Sequence, residues 1–246
     1  MPTPPAEQTA SWNSGTPPKW LSTSTPLRVP RKNGPRVLSL LGKGGSSKST
    51  TAIQLAGIGA ALGQHVLILD TDPQQSVSGW RTLRDDNGIA VHTCRPQEVA
   101  DRIAQAKKAG FDLVLIDNAP VRTGASDAIA DLSDLSMVMV RPSMLDLVVG
   151  MNWISWLNAA QRAFVVVIGA APPLRQDIEA PFVRETRKAL VAEARRLWRG
   201  QITLRHAVIE SVGTGATLME TDPGGPASAE FCRLWDGLMR ELERVQ

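Results

Sequence analysis

The chain has 246 residues, 43% hydrophobic and 21% charged, enough apolar material for one soluble globular domain. No run of eighteen apolar residues occurs, which excludes a spanning helix, and the opening MPTPPAEQTASW lacks the basic and apolar regions of a secretory signal. Two cysteines, Cys94 and Cys232, exclude a disulfide framework, no Cys/His cluster has metal-ligand spacing, and the expected location is the cytoplasm.

The net charge of +3 hides segregation. Residues 1–36 carry five basic groups against one acid, residues 175–205 eight against four, and residues 206–246 three against seven. Separated charge of this kind supplies the local field that attracts a polyanion. Residues 1–34, rich in Pro, Ser and Thr, are expected to form a flexible basic tail in which Trp12 and Trp20 are able to dock, with 35–246 as the folded domain.

From Arg36 onward, short apolar runs alternate with helix-length segments. The runs at 37–41, 66–69, 113–116, 137–140, 164–168 and 202–209 predict strands buried on both faces. Helices are expected over 48–62, 97–109, 123–133, 145–161, 182–198 and 227–244. Such alternation implies a doubly wound, mostly parallel α/β sheet with helices on both faces and ligands beyond the carboxyl ends of its strands.

The first run leads into Gly42-Lys43-Gly44-Gly45-Ser46-Ser47-Lys48-Ser49-Thr50, which opens a helix. Glycines let backbone amides turn inward as an anion nest at the positive end of the helix. Lys48 would reach the β- and γ-phosphates, and the Ser49 hydroxyl would take one Mg²⁺ position. One residue departs from G-x-x-x-x-G-K-[ST]: Ser47 stands where glycine is usual, and its Cβ strains the loop or crowds the phosphate. The loop instead satisfies K-G-G-x-x-K-[ST], with Lys43 as an additional lysine.

Carboxylates stand at two neighbouring strand ends. Asp70 and Asp72 follow the run at 66–69, and Asp117 ends the run before it. A buried strand-end carboxylate is costly unless it serves a cation or a hydrogen bond. Asp117 fits a role holding Mg²⁺ through water, Asp72 is placed to orient or polarise an attacking water, and Asp70 to bind waters around the same ion.

K-G-G-x-x-K-S-T-T, D-x-D-P-Q, an apolar run ending in Asp, and Met137-Val-Met-Val-Arg-Pro-Ser143 together resemble the deviant Walker-A ATPases of the ParA/MinD family, small plasmid-type ParA partition proteins in particular. The resemblance spans about residues 36–244. It implies a P-loop NTPase fold, ATP and Mg²⁺ as cofactors, and slow, partner-stimulated hydrolysis. It also implies a homodimer formed with ATP, in which Lys43 reaches the phosphates of the opposite subunit. Non-specific DNA binding by that dimer, nucleoid association, and release through a centromere-binding ParB-type partner protein would follow, in plasmid or chromosome partition. The family often has Asn where Gly169 follows the run at 164–168, and Asn118-Ala119-Pro120 replaces a more usual Cys/Gly-Pro-Pro.

Arg184, Arg187, Lys188, Arg195, Arg196, Arg199 and Arg205 supply the basic stretch, several at helical spacing, as expected of a surface that contacts phosphates without reading bases. MinD-like relatives use a basic amphipathic C-terminal helix on membranes. Here Leu234, Trp235, Leu238, Met239 and Leu242 form a stripe whose polar face is net acidic, so the stripe is assigned to the core, with no stable membrane insertion. Trp153 and Trp156 are assigned to helix packing or dimer contacts. The alternatives are a nucleotide-gated scaffold positioning a protein cargo or conjugation machinery, a MinD-like membrane-associated ATPase, and a metabolic enzyme on the same fold. Two scattered cysteines argue against the iron–sulfur reductase branch of the last.

Overall fold

The structure, a computed structural model, describes residues 34–85, 88–194 and 196–245. The expectations for the tail, with Trp12 and Trp20, and for Arg195 lie outside the described residues. Six parallel strands form one sheet: β1 (Arg36–Gly42), β2 (Val66–Asp70), β3 (Ala90–Thr93), β4 (Leu113–Asp117), β5 (Leu135–Val140) and β6 (Phe164–Ile168), in the order β3-β2-β4-β1-β5-β6. The helices are α1 (Lys48–Ala61), α2 (Ser76–Thr82), α3 (Val99–Lys108), α4 (Gly124–Asp131), α5 (Met144–Ala159), α6 (Pro181–Glu193), α7 (His206–Gly213), α8 (Leu218–Thr221) and α9 (Pro226–Arg244). The doubly wound α/β sheet expected from the alternation is what forms.

Strand side chains alternate between faces, so each strand feeds two cores. Leu38, Leu40, Met137 and Val165 point to one face, where α1 and α9 cover them with Ile53, Phe231, Leu234 and Trp235. Their neighbours Leu41, Val138 and Val166 meet Trp153 and Leu157 of α5 and Val183 and Leu190 of α6. Val37, Leu69, Val114 and Ile116 meet Val99 and Ala106 of α3 and Ile129 of α4. The stripe of α9 packs on the core, with Leu234, Trp235, Leu238 and Leu242 all buried. Small residues let α1 lie close to its neighbours: a Cβ on Gly57 would stand 2.6 Å from Oγ1 of Thr217, and one on Gly59 3.1 Å from the Trp235 ring.

Two expectations need correction: the strand at 202–209, and the helix over 182–198, which ends at Glu193. The run at 202–209 is not a strand. Residues 196–204 follow the edge of β6 only through scattered bonds, Ile202 N–H to Ile168 O and Leu204 N–H to Ala171 O among them. The chain then turns into α7 at His206, leaving Leu204 and Ile209 exposed. The polar pair Arg205-His206 breaks the run where the conformation changes. Conversely, β3 has no apolar run to announce it: as an edge strand it is only partly buried, so Ala-Val-His-Thr suffices.

Candidate nucleotide site

The strand order puts β1 between β4 and β5, so the loop after β1 is flanked by what those strands deliver. Leu40 is in register with Asp117, Gly42 with Met139, and Asp70 with Asp117 across to β2. Three strand ends therefore bring Lys43–Ser49, Asp70–Asp72 and Asp117 to one place.

Gly42 begins the turn at φ 142°, and a Cβ there would stand 2.4 Å from Met139 O, so no side chain fits. Ser47 caps α1 in the left-handed region, at φ 70° and ψ 25°. A serine held there carries strain that glycine would not. Ser46 N–H donates to Lys43 O at 3.2 Å, closing the loop on itself. The Ser46 and Thr51 hydroxyls are buried without partners. Gly169 explains its departure from the family pattern: a Cβ there would stand 2.7 Å from Cε of Met139 and 3.2 Å from Ser46 O, so the loop's own backbone occupies that space.

Lys48 opens α1 with only 5% of its surface exposed, and its Nζ donates to Lys43 O at 3.3 Å. Burial lowers its pKa, while the charges of Asp117 and Asp72 oppose the shift. Ser49 Oγ donates to Oδ2 of Asp117 at 2.6 Å, and Oδ1 of Asp117 has no partner. Burial pushes the Asp117 carboxyl up to about 7, against the Ser49 hydrogen bond. A hydroxyl against a fully buried carboxylate with one orphaned oxygen is a donor set that suits a hard cation, so Ser49 and Asp117 fit Mg²⁺.

Asp70 is engaged more fully than its residue type foretells. Its Oδ1 accepts from Asp72 N–H at 3.2 Å, and its Oδ2 accepts from the N–H and the hydroxyl of Ser78, each at 2.9 Å. Both oxygens thus hold the segment that carries Asp72. Thr71 ties the same segment to β4 through N–H and hydroxyl bonds to Asp117 O. Asp72 is half-buried, and its Oδ1 accepts from Gln74 N–H at 2.9 Å. Gly44, Gly45 and Thr50 complete the loop and the first turn of α1 as the sequence places them.

Lys43 turns away from Lys48. Its Nζ lies 3.5 Å from Oδ2 of Asp146, in the first turn of α5, with 38% of the lysine side chain exposed and 5% of the aspartate. Ser143 caps α5, donating its hydroxyl to Oδ2 of Asp146 at 2.7 Å. Sequence reasoning passed over Asp146; its one legible signal was a Ser-x-x-Asp start of a helix.

The basic residues separate into two groups. Arg187 is bound to Glu179 and to the carbonyls of Trp198 and Gly200, and Arg205 pairs with the buried Glu230 at 2.7 Å. Arg184 and Arg199 are exposed, and Lys188 pairs with Glu185 on the surface. Arg196 and Arg199 line a cleft of about 520 Å³ with Trp198, Arg240, Glu241 and Arg244. Glu241 pairs with both Arg196 and Arg244 at 2.6 Å.

A phosphate loop after a central parallel strand, with a hydroxyl–carboxylate pair at the cation position, defines a P-loop nucleotide-binding protein. The chain belongs to the CobQ/CobB/MinD/ParA nucleotide-binding domain family, matched over residues 39–218. It is 35% identical over 124 residues to the maintenance of carboxysome distribution protein A of Gloeobacter kilaueensis, covering 49% of this chain and 56% of that protein. It is 30% identical over 131 residues to a ParA protein of Rhizobium radiobacter, covering 52% and 59% respectively. The match thus spans little more than half the length of these curated relatives. The fold is that of apo McdA from Cyanothece, at a TM-score of 0.69 and 16% identity, over 84% of this chain and 99% of that one.

Proposed function

We propose that the chain is an ATP-dependent dimerising switch ATPase that serves DNA partition. The observation that carries this reading is the second lysine of the loop. Lys48 is enclosed with the carboxylates, whereas Lys43 is partly exposed and reaches Asp146 of α5 instead. A lysine so placed is available to phosphates bound by a second copy, which makes dimerisation depend on the nucleotide state. In hydrolysis, Asp72 orients a water and takes its proton as the water oxygen attacks the γ-phosphorus. The bond from that phosphorus to the oxygen bridging to the β-phosphate breaks, giving ADP and phosphate. Lys48 and the opposite subunit's Lys43 offset the charge that develops. Ser49 and Asp117 would hold Mg²⁺, which would supply positive charge against the phosphate chain.

DNA is the proposed substrate surface of the ATP dimer, with a ParB-type partner stimulating release and the nucleoid as the location. The arginine-lined cleft supports it, because Arg196, Arg199, Arg240 and Arg244 face a single acid there, and a dimer doubles the positive surface. The basic tail, residues 1–34, is proposed as a separate element whose deletion leaves ATP binding intact. The test is DNA retention with ATP, with ADP and without nucleotide across a salt series. ATP-dependent, salt-sensitive retention supports the reading; equal retention in all three states overturns it.

The likeness to a protein named for carboxysome distribution favours a second reading, a nucleotide-gated scaffold that positions a protein cargo. An ATP dimer with no DNA retention points to it. The α9 stripe that the membrane alternative would use packs on the core, and among the described residues no helix is long and apolar enough to cross a membrane.

A further inference from the structure

Beside the phosphate loop stands a third cation that the two-lysine pattern does not use. Arg141 immediately follows β5, and the pairing of Gly42 with Met139 brings the end of β5 alongside the start of the loop. A Cβ built on Gly45 would stand 3.1 Å from Nη1 of Arg141, so the guanidinium lies against the loop backbone. Its own backbone is held in a turn by Ser143 N–H, which donates to Arg141 O at 2.7 Å. Arg141 is exposed, and among the described residues no acid pairs with it. By contrast, Arg84, Arg122, Arg187 and Arg205 each bind a carboxylate.

We propose that Arg141 is a phosphate-binding residue whose guanidinium grips the phosphate chain of the nucleotide held in the same subunit's loop. The inference rests on the reading of Lys43–Ser49 as a nucleotide loop and deepens it. Lys48 shares the field of Asp117 and Asp72, and Lys43 is held by Asp146. A polyphosphate in this loop therefore meets two lysines already partly offset by acids. Arg141 adds an exposed charge beside Gly45, with no acid paired to it among the described residues. A planar fork of N–H donors suits two phosphate oxygens at once, which a lysine ammonium does not reproduce.

The test compares Arg141→Ala, Arg141→Gln and Arg141→Lys with Lys48→Ala, measuring affinity for fluorescent ATP and ADP analogues at protein concentrations that keep the chain monomeric. Circular dichroism checks folding, which the exposed position of Arg141 favours. Affinity falls about tenfold or more in Arg141→Ala and Arg141→Gln, as expected for a lost charge-assisted hydrogen bond, and Arg141→Lys recovers part of it. Undiminished affinity in Arg141→Ala, with binding lost in Lys48→Ala, overturns the role of Arg141 and leaves the loop assignment standing. Undiminished affinity in Lys48→Ala overturns the loop assignment itself. Unchanged monomer affinity with slowed hydrolysis by the dimer also overturns the inference, because Arg141 then acts on the opposite subunit's nucleotide.

Discussion

Lys43 and Asp146 hold each other across the mouth of the phosphate loop, Nζ to Oδ2 at 3.5 Å, one leaving β1 and the other starting α5. The pair occupies the lysine that a dimer would use, so it competes with dimerisation. The lysine is partly exposed, so the pair is worth about 1 kcal/mol at most. Asp146→Asn should therefore let the ATP dimer form with a dissociation constant up to about fivefold lower. Lys43→Ala should abolish that dimer while sparing nucleotide binding by the monomer. Light scattering against ATP concentration reads both; an unchanged Asp146→Asn titration would show that the pair restrains nothing.

Ser47 stores strain. Its φ of 70° lies where a side chain costs about 1–2 kcal/mol relative to the right-handed region. Glycine there is freer in the unfolded chain, so Ser47→Gly should stabilise the fold by about 1 kcal/mol or less, and ATP affinity should hold or improve. Ser47→Val should destabilise it. Urea unfolding of the two variants gives the comparison, and a less stable Ser47→Gly would contradict the strain.

The pH dependence follows from Asp117. Its carboxyl is raised by burial to about 7 from an ordinary value of 3.8. The folded chain therefore keeps a proton that the unfolded chain has lost. Stability of the nucleotide-free protein should fall as pH rises from about 4 to about 7 and level off above. Asp70, raised by burial in the same direction, adds to the slope. Asp117→Asn should flatten the profile. Mg²⁺ requires the ionised carboxylate, so Mg²⁺-dependent nucleotide affinity should instead rise with pH through about 7, with proton release detectable by calorimetry in buffers of different ionisation enthalpy.

Asp70 and Asp72 should separate kinetically. Asp72→Ala should keep the ATP dimer but slow hydrolysis about 10²-fold or more, the scale of a lost general base. Asp70→Ala removes the acceptor for Asp72 N–H and for both Ser78 donors. It should lower kcat with little change in KM and destabilise the fold by about 1 kcal/mol, since the donors left without an acceptor are only partly buried. Equal turnover in Asp72→Ala would move the water-orienting role elsewhere.

The arginines make opposite predictions according to their partners. Arg199→Glu with Arg240→Glu should weaken DNA retention and flatten its salt dependence while leaving the melting temperature nearly unchanged. Arg205→Ala strands the buried Glu230, and Arg187→Ala frees Glu179 and two carbonyls. Each should lower the melting temperature. Full DNA retention in the cleft variant would remove the cleft from the DNA surface.

The placement of the glycine-rich loop, Asp72 and Asp117 at neighbouring strand ends was legible because the signals are local: a buried strand, a glycine turn and a helix start follow one another in the chain. The parallel sheet was legible from runs buried on both faces. The strand β3 was not, because an edge strand needs no run. Residues 202–209 misled because Ile202, Leu204, Val208 and Ile209 mimic a strand while Arg205 and His206 divide them. Asp146 carries no sequence signal beyond a helix start, and Arg141 stands out only as part of the run 137–143, because their positions at the loop arise only when β5 settles beside β1. Arg187 and Arg205 look like surface charge until the fold brings Glu179 and Glu230 to them.

The close seating of α1 against Thr217 and Trp235 has a mechanical result. At Gly57 and Gly59 a glycine hydrogen is all that fits between the rod bearing Lys48 and Thr217 or the Trp235 ring. A side chain at either position would have to push α1, and Lys48 at its start, away from those neighbours.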